Sequence, residues 1–155
     1  MVQRKEYLEQ LIKWKDEQII KVVTGIRRCG KSTLLEMYKD YLLNQGISEN
    51  QIIYINFEEL EYDELLDYKK LYSHIKEQLI DTKMTYVFLD EIQQVENYQK
   101  AIDSLYVKKN IDLYITGSNA YLLSSELASL LSGRYIEIKM LPLSFYEFYQ
   151  MKSDV

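Results

Sequence analysis

The sequence predicts a three-layer α/β/α fold, a five-stranded parallel sheet with helices on both faces. Short apolar runs alternate with longer amphipathic ones along the whole chain. Five of the short runs have strand length and are rich in β-branched and aromatic residues. Helix-period segments separate successive runs, the βαβ arrangement that makes neighbouring strands parallel.

Each element has its own signal. Residues 3–15 place Leu8, Leu11 and Ile12 on one helix face, and the N-terminal helical segment occupies 1–18 as a whole. Residues 19–24 (IIKVVT) are nearly continuous in β-branched residues, as in a strand covered on both sides. A Gly-rich turn follows at 25–30. Residues 31–45 repeat at helical spacing through Leu34, Tyr38, Tyr41 and Leu42, and Gly46 is a helix stop. The cycle then recurs: strand 52–56 (IIYIN), a helix over 62–81 with Leu65, Tyr68, Tyr72, Ile75 and Leu79 on one face, and strand 85–90 (TYVFLD). A helix over 97–109 carries Ile102, Leu105 and Tyr106, ahead of strand 112–117 (DLYITG). A helix over 119–132 carries Leu123, Leu127, Leu130 and Leu131, and strand 134–140 (RYIEIKM) precedes the only proline, Pro142.

Composition narrows the class. A chain of 155 residues with 47% apolar and 28% charged residues fits one soluble globular domain. No apolar run approaches the ~20 residues of a membrane span, and the N-terminus lacks an apolar signal segment. The single cysteine, Cys29, has no internal disulfide partner, so a cytoplasmic setting is expected. A net charge of −5 argues against a surface that attracts phosphate backbones over a wide area. The 15 tyrosines follow helix and strand periods rather than interleaving with Lys and Arg, which reads as amphipathic filler at core edges.

The chemistry concentrates in two motifs. Gly25-Ile26-Arg27-Arg28-Cys29-Gly30-Lys31-Ser32 matches G-x-x-x-x-G-K-S/T between a buried strand and an amphipathic helix. The two glycines permit a tight turn without a Cβ against a phosphate. Backbone N–H groups of Arg27, Arg28, Cys29, Gly30, Lys31, Ser32 and Thr33 would then cradle phosphates, helped by the helix N-terminus. Lys31 would neutralise β- and γ-phosphates, and the Ser32 hydroxyl would ligate Mg²⁺. The second motif is an apolar strand, Tyr86 to Leu89, that delivers Asp90 and Glu91 at its C-terminal end, where open α/β sheets bind ligands. Asp90 would hold Mg²⁺, and Glu91 would polarise the water that attacks the γ-phosphate.

Two further segments carry paired readings. Thr116, Ser118 and Asn119 end the fourth strand; one could sit between the acidic residues and sense the γ-phosphate, or Ser118 or Asn119 could cap the next helix. Arg134, after Gly133, either reaches a phosphate of this or a neighbouring subunit or starts a strand at a solvated edge. His74 reads as a partly exposed helix residue. His and Cys show no metal-ligand spacing.

The segments VVTGIRRCGKSTLL, YVFLDEIQQVENYQKAIDSLY and LYITGSNAYLLSSELASLLSGRYIEIKMLPLSFYEF together resemble the N-terminal ATPase core of a prokaryotic AAA-type family, over residues 19–149. The resemblance implies the additional-strand, catalytic-Glu branch of P-loop ATPases, with sheet order 5-1-4-3-2. It also implies Gly25–Ser32 as Walker A, Asp90 and Glu91 as Walker B, a first sensor among Thr116, Ser118 and Asn119, and Arg134 at an arginine-finger position. Members of that family continue well past the point where this chain stops. The chain is therefore expected to be a single ATPase core without the helical lid, its second sensor and the C-terminal domain.

The expected function is Mg²⁺–ATP binding and hydrolysis by a switch or motor, slow in this chain alone. The alternative is an ATP-gated interaction module with negligible turnover. A small-molecule kinase would carry several arginines in its later half, where only Arg134 stands, and no N-K-x-D segment is present to read guanine. Expected partners are ATP, a second subunit engaged through Arg134, and a nucleic acid or protein held by the region beyond this chain; no membrane is expected.

Overall fold

The computed structural model describes residues 2–26, 29–118, 128–129 and 131–142. Helices α1 (Val2–Lys13), α2 (Lys31–Asn44), α3 (Tyr68–Glu77) and α4 (Tyr98–Tyr106) alternate with strands β1 (Ile20–Thr24), β2 (Ile52–Asn56), β3 (Thr85–Asp90), β4 (Ile111–Gly117) and β5 (Tyr135–Lys139). Short 3₁₀ segments lie at Glu49–Gln51, Leu60–Leu66 and Ile92–Gln94. All strand pairs are parallel, in the order β2-β3-β4-β1-β5. This is the 5-1-4-3-2 order that the resemblance implies.

Strand alternation divides the core between two layers. Val23, Phe88 and Ile138 face α1 and α2, meeting Leu11, Leu34, Leu35 and Leu42. Val22, Val87, Leu89 and Ile115 face the other way, onto Leu71 and Ile75 of α3 and Ile102 and Leu105 of α4. Strands β1, β3 and β4 are buried at every residue, which is why they read as continuous apolar runs. The edge strands β2 and β5 are partly exposed.

The helix expected over 62–81 is two pieces. The chain runs as a 3₁₀ segment to Leu66, extends at Asp67 (φ −89°, ψ 123°) and restarts as α3 at Tyr68. The Asp67 carboxylate accepts from the Lys69 backbone N–H at 3.2 Å, an N-cap that ends one helix by starting another. Elsewhere element ends agree with the expectation, as in β2 and β3, or shift by one to three residues. The helix expected over 119–132 falls mostly outside the described residues.

The interior also holds a polar cluster at the N-terminal ends of β1, β3 and β4. Lys21 Nζ lies 2.5 Å from Asp112 Oδ1, with both side chains fully buried. The second carboxylate oxygen accepts from the Tyr114 hydroxyl and the Asp16 backbone N–H, each at 2.8 Å. Lys21 also donates to the Glu17 carbonyl at 2.7 Å. Tyr38 shares a 2.7 Å hydrogen bond with Tyr114, and Tyr86 donates to Asp16 at 2.6 Å. Burial pushes the Lys21 ammonium below its usual range and the Asp112 carboxyl above its own, and each partner's charge opposes the shift. Tyr38, Tyr86 and Tyr114 are thus interior donors, not the edge filler that their spacing suggests.

The cluster pins the connection between α1 and β1. Lys21→Met should leave Asp112 buried without its cation and lower the unfolding free energy by about 3–5 kcal/mol. Urea titration would read this as a lower midpoint at unchanged slope. Adding Asp112→Leu should recover part of the loss; a single variant as stable as the parent would contradict the ion-pair assignment.

Candidate functional site

Parallel pairing brings three strand ends to one edge of the sheet. Thr24 of β1 is level with Gly117 of β4, and Leu89 of β3 with Ile115 of β4. The loop after β1 and the turn after β3 therefore face each other across the end of β4, in the crevice where open α/β sheets hold ligands.

The loop after β1 is shaped by its two glycines. A Cβ at Gly25 would lie 2.5 Å from Cys29 Sγ and 3.0 Å from the Met140 carbonyl oxygen, so only glycine fits. Gly30 has φ 98°, a left-handed turn that starts α2 at Lys31. Cys29 is buried beneath the loop, and Thr33 is exposed on the first turn of α2. Arg27 and Arg28 lie outside the described residues. The buried Lys31 ammonium donates to the Gly25 carbonyl at 2.6 Å and the Ile26 carbonyl at 3.3 Å, and pairs with Glu91 Oε1 at 3.2 Å.

Asp90 is the last residue of β3 and has no exposed surface. Its Oδ2 accepts from the Ser32 hydroxyl at 2.5 Å and the Tyr54 hydroxyl at 2.9 Å. Its Oδ1 accepts from Thr116 at 2.6 Å. The Glu91 backbone N–H donates to the same Thr116 hydroxyl at 2.9 Å. Glu91 occupies the left-handed region (φ 60°, ψ 51°), a conformation that costs a non-glycine residue about 1–3 kcal/mol and turns its side chain towards Lys31. Gln93 donates to the other Glu91 carboxylate oxygen. Burial and the adjacent Asp90 carboxylate push the Tyr54 hydroxyl far above the usual tyrosine range, so it stays a donor.

The structure therefore brings Gly25, Cys29, Gly30, Lys31, Ser32, Asp90 and Glu91 together. It adds Tyr54 and Gln93, which sequence reasoning did not single out. Their only sequence signal is position: Tyr54 is level with Phe88 once β2 is known to flank β3. Among the three residues ending β4, Thr116 stands between the two acids. Ser118 follows the strand, half-buried, and Asn119 lies outside the described residues.

Arg134 stands apart from the phosphate loop of its own chain. Its carbonyl accepts from the Ile20 N–H at the start of β1, the opposite end of the sheet, about 15 Å away at ~3.3 Å per strand residue. Its guanidinium lies 3.6 Å from Asp103 and 5.5 Å from the centre of the Tyr106 ring. The reading in which it reaches phosphates of this subunit is corrected by the parallel register, which puts the start of β5 beside the start of β1.

The Ser32 hydroxyl and Asp90 carboxylate are hard oxygen donors that fit Mg²⁺, an ion that takes one or two protein ligands and completes its shell with phosphates and water. Among the described residues no group of three or more His, Cys, Asp or Glu could hold a metal by itself. No helix among them is long and apolar enough to cross a membrane.

A protein-family profile described as AAA domain matches residues 17–149, most of the chain and both halves of this site. The chain belongs to the AAA domain family. An uncharacterised protein of Haemophilus influenzae is 51% identical over 154 residues, covering 99% of this chain and 38% of that protein. The AAA domain here thus spans less than two fifths of that relative's length. Among solved structures, PCH-2 of C. elegans superposes with a TM-score of 0.64 at 18% identity, covering 99% of this chain and 44% of that one. A chain of Drosophila ORC bound to AT-rich DNA and Cdc6 superposes with a TM-score of 0.62 at 16% identity, covering 99% of this chain and 63% of that one. These two likenesses concern the fold. Family and fold together make the chain an AAA-type P-loop ATPase core, a nucleotide-binding domain of the ATP-binding class.

Gly25→Ala in this AAA domain should force Cys29 or the Met140 backbone to move. Overpacking of this kind costs about 1–3 kcal/mol. The melting temperature should fall and its rise with nucleotide should shrink; a variant that melts and responds like the parent would contradict the close approach.

Proposed function

We propose that this AAA domain binds Mg²⁺–ATP and hydrolyses it as a conformational switch. One observation carries the reading: Lys31 and Ser32 of the phosphate loop meet Asp90, Glu91 and Thr116 at one edge of the sheet.

Each residue has a definite task. The Lys31 ammonium, now on the loop carbonyls and Glu91, would transfer to the β- and γ-phosphate oxygens. That transfer releases the Glu91 carboxylate to take a proton from the attacking water, with Gln93 and Thr116 fixing its direction. Mg²⁺, held by Ser32 and by Asp90 through water, would neutralise charge that develops on the phosphates. The adenine reading rests on the missing N-K-x-D segment. Arg134 would serve a neighbouring subunit, since it lies away from its own loop. An engaged arginine finger is worth on the order of 10³–10⁵ in rate, so the separate chain should turn over slowly. Partners of the longer protein, nucleic acid included, belong to the same proposal; the DNA complex of ORC is its nearest support.

Lys31→Ala should lose the thermal upshift that Mg²⁺–ATP gives the parent, whereas Glu91→Gln should keep it and release phosphate at least about a hundredfold more slowly. An equal upshift in Lys31→Ala would contradict the phosphate-loop role, and parent-rate turnover in Glu91→Gln the base role. Tyr54→Phe frees Asp90 of one donor next to the metal position. The Mg²⁺ concentration for half-maximal ATP binding should change by about tenfold while binding at saturating Mg²⁺ persists. An unchanged Mg²⁺ titration would reduce Tyr54 to packing.

A further inference from the structure

The outer face of α3 and α4, on the sheet side opposite α2, carries a feature that the phosphate loop does not use. Lys69 and Lys100 place their ammonium groups 6.0 and 5.5 Å from the centre of one ring, Tyr68. Lys108 lies 5.8 Å from the Tyr72 ring, and Arg134 lies over Tyr106. Two tyrosines and three lysines thus interleave along the α3–α4 seam, about 15 Å long at ~1.5 Å per helical residue, while the Arg134–Tyr106 pair lies on the other flank of α4. Most of these pairs join different elements, so the chain order hides them: Lys100 of α4 covers a ring of α3, as does Lys108, and Arg134 covers a ring of α4.

Between the two helices runs a groove of about 270 Å³, lined by Tyr68, Tyr72, Lys69, Lys100, Ser73 and Ser104 together with Ala101. No carboxylate lines it. Neither Lys69 nor Lys100 is paired with a carboxylate among the described residues; both are exposed. In a chain of net charge −5 this is a segregated surface. Residues 58–67 hold six carboxylates and no cation, whereas residues 68–76 hold three lysines and no carboxylate. Acids border the stripe without filling it: Asp67 turns to the Lys69 backbone N–H, and Asp103 holds Arg134.

We propose that this groove binds single-stranded nucleic acid, with phosphates on Lys69 and Lys100 and a base against Tyr68 or Tyr72. Lysines serve as point charges that follow a phosphate backbone, in contrast to the bidentate arginine grip on a lone phosphoryl group. Half-buried tyrosine rings accept only bases that are not already stacked in a duplex. The serine hydroxyls supply neutral donors between the two charges. The site stands apart from the ATP reading, because it uses neither α2 nor the loop before it.

Fluorescence anisotropy with a labelled fifteen-residue oligothymidylate tests it on the whole chain in a Lys31→Ala background, which removes the phosphate loop as a competing anion site. Binding should saturate and weaken with salt. Lys69→Ala with Lys100→Ala should lower affinity at least about tenfold and reduce the slope of log K against log salt by about 1.4, two phosphate contacts at ~0.7 each. Tyr72→Leu keeps the apolar packing and should lower affinity at least about fivefold at unchanged slope. Absence of saturable binding, equal affinity in the double-lysine variant, or tighter binding of the matching duplex or of a phosphopeptide would overturn the proposal.

Discussion

One carboxylate ties four elements together. Asp90, at the end of β3, accepts hydroxyls from Ser32 on α2, Tyr54 on β2 and Thr116 on β4. A carboxylate with no exposed surface must be satisfied by donors or lose its charge. Three hydroxyls satisfy it without supplying a positive charge, since the nearby ammonium of Lys31 pairs with Glu91 instead. The parallel order β2-β3-β4-β1 is what allows this convergence, because Tyr54 and Thr116 stand on the two strands adjacent to β3 and Ser32 on the first turn of the helix that follows β1.

A second buried carboxylate shows what the first is not. Asp112, at the other end of the sheet, is also fully enclosed, but it faces the Lys21 ammonium directly at 2.5 Å. Its charge is spent inside the protein, and its partners tie down the segment between α1 and β1. Asp90 faces hydroxyls alone, with no ammonium among its hydrogen-bond partners, which is the environment that the proposed metal role would use. Two acids of similar burial thus differ in the charge of their neighbours, an ammonium for Asp112 and neutral hydroxyls for Asp90.

Local chemistry was legible in the sequence, and geometry across strands was not. The glycine loop announces itself because its constraints lie within eight consecutive residues, and β2 and β3 begin and end where their apolar runs do. The helix over 62–81 misled because apolar spacing continues across Asp67, while the cap that breaks it is a single side chain. Thr116, Ser118 and Asn119 could not be ranked without knowing where β4 stops relative to β3. Tyr54, Gln93 and the Lys21–Asp112 pair needed the strand order, which periodicity does not contain. Arg134 was close in sequence to a strand end, but it was the wrong end for its own phosphate loop.

The central claim is that a hydroxyl-shelled Asp90 and the loop holding Lys31 form one metal-dependent nucleotide site. Isothermal titration of ATP into the chain, once with Mg²⁺ and once with the divalent ion chelated, tests it most directly. One ATP per chain is expected, with a clearly weaker affinity when Mg²⁺ is removed. Binding of equal strength in both titrations, or no binding heat with Mg²⁺ present, would contradict it.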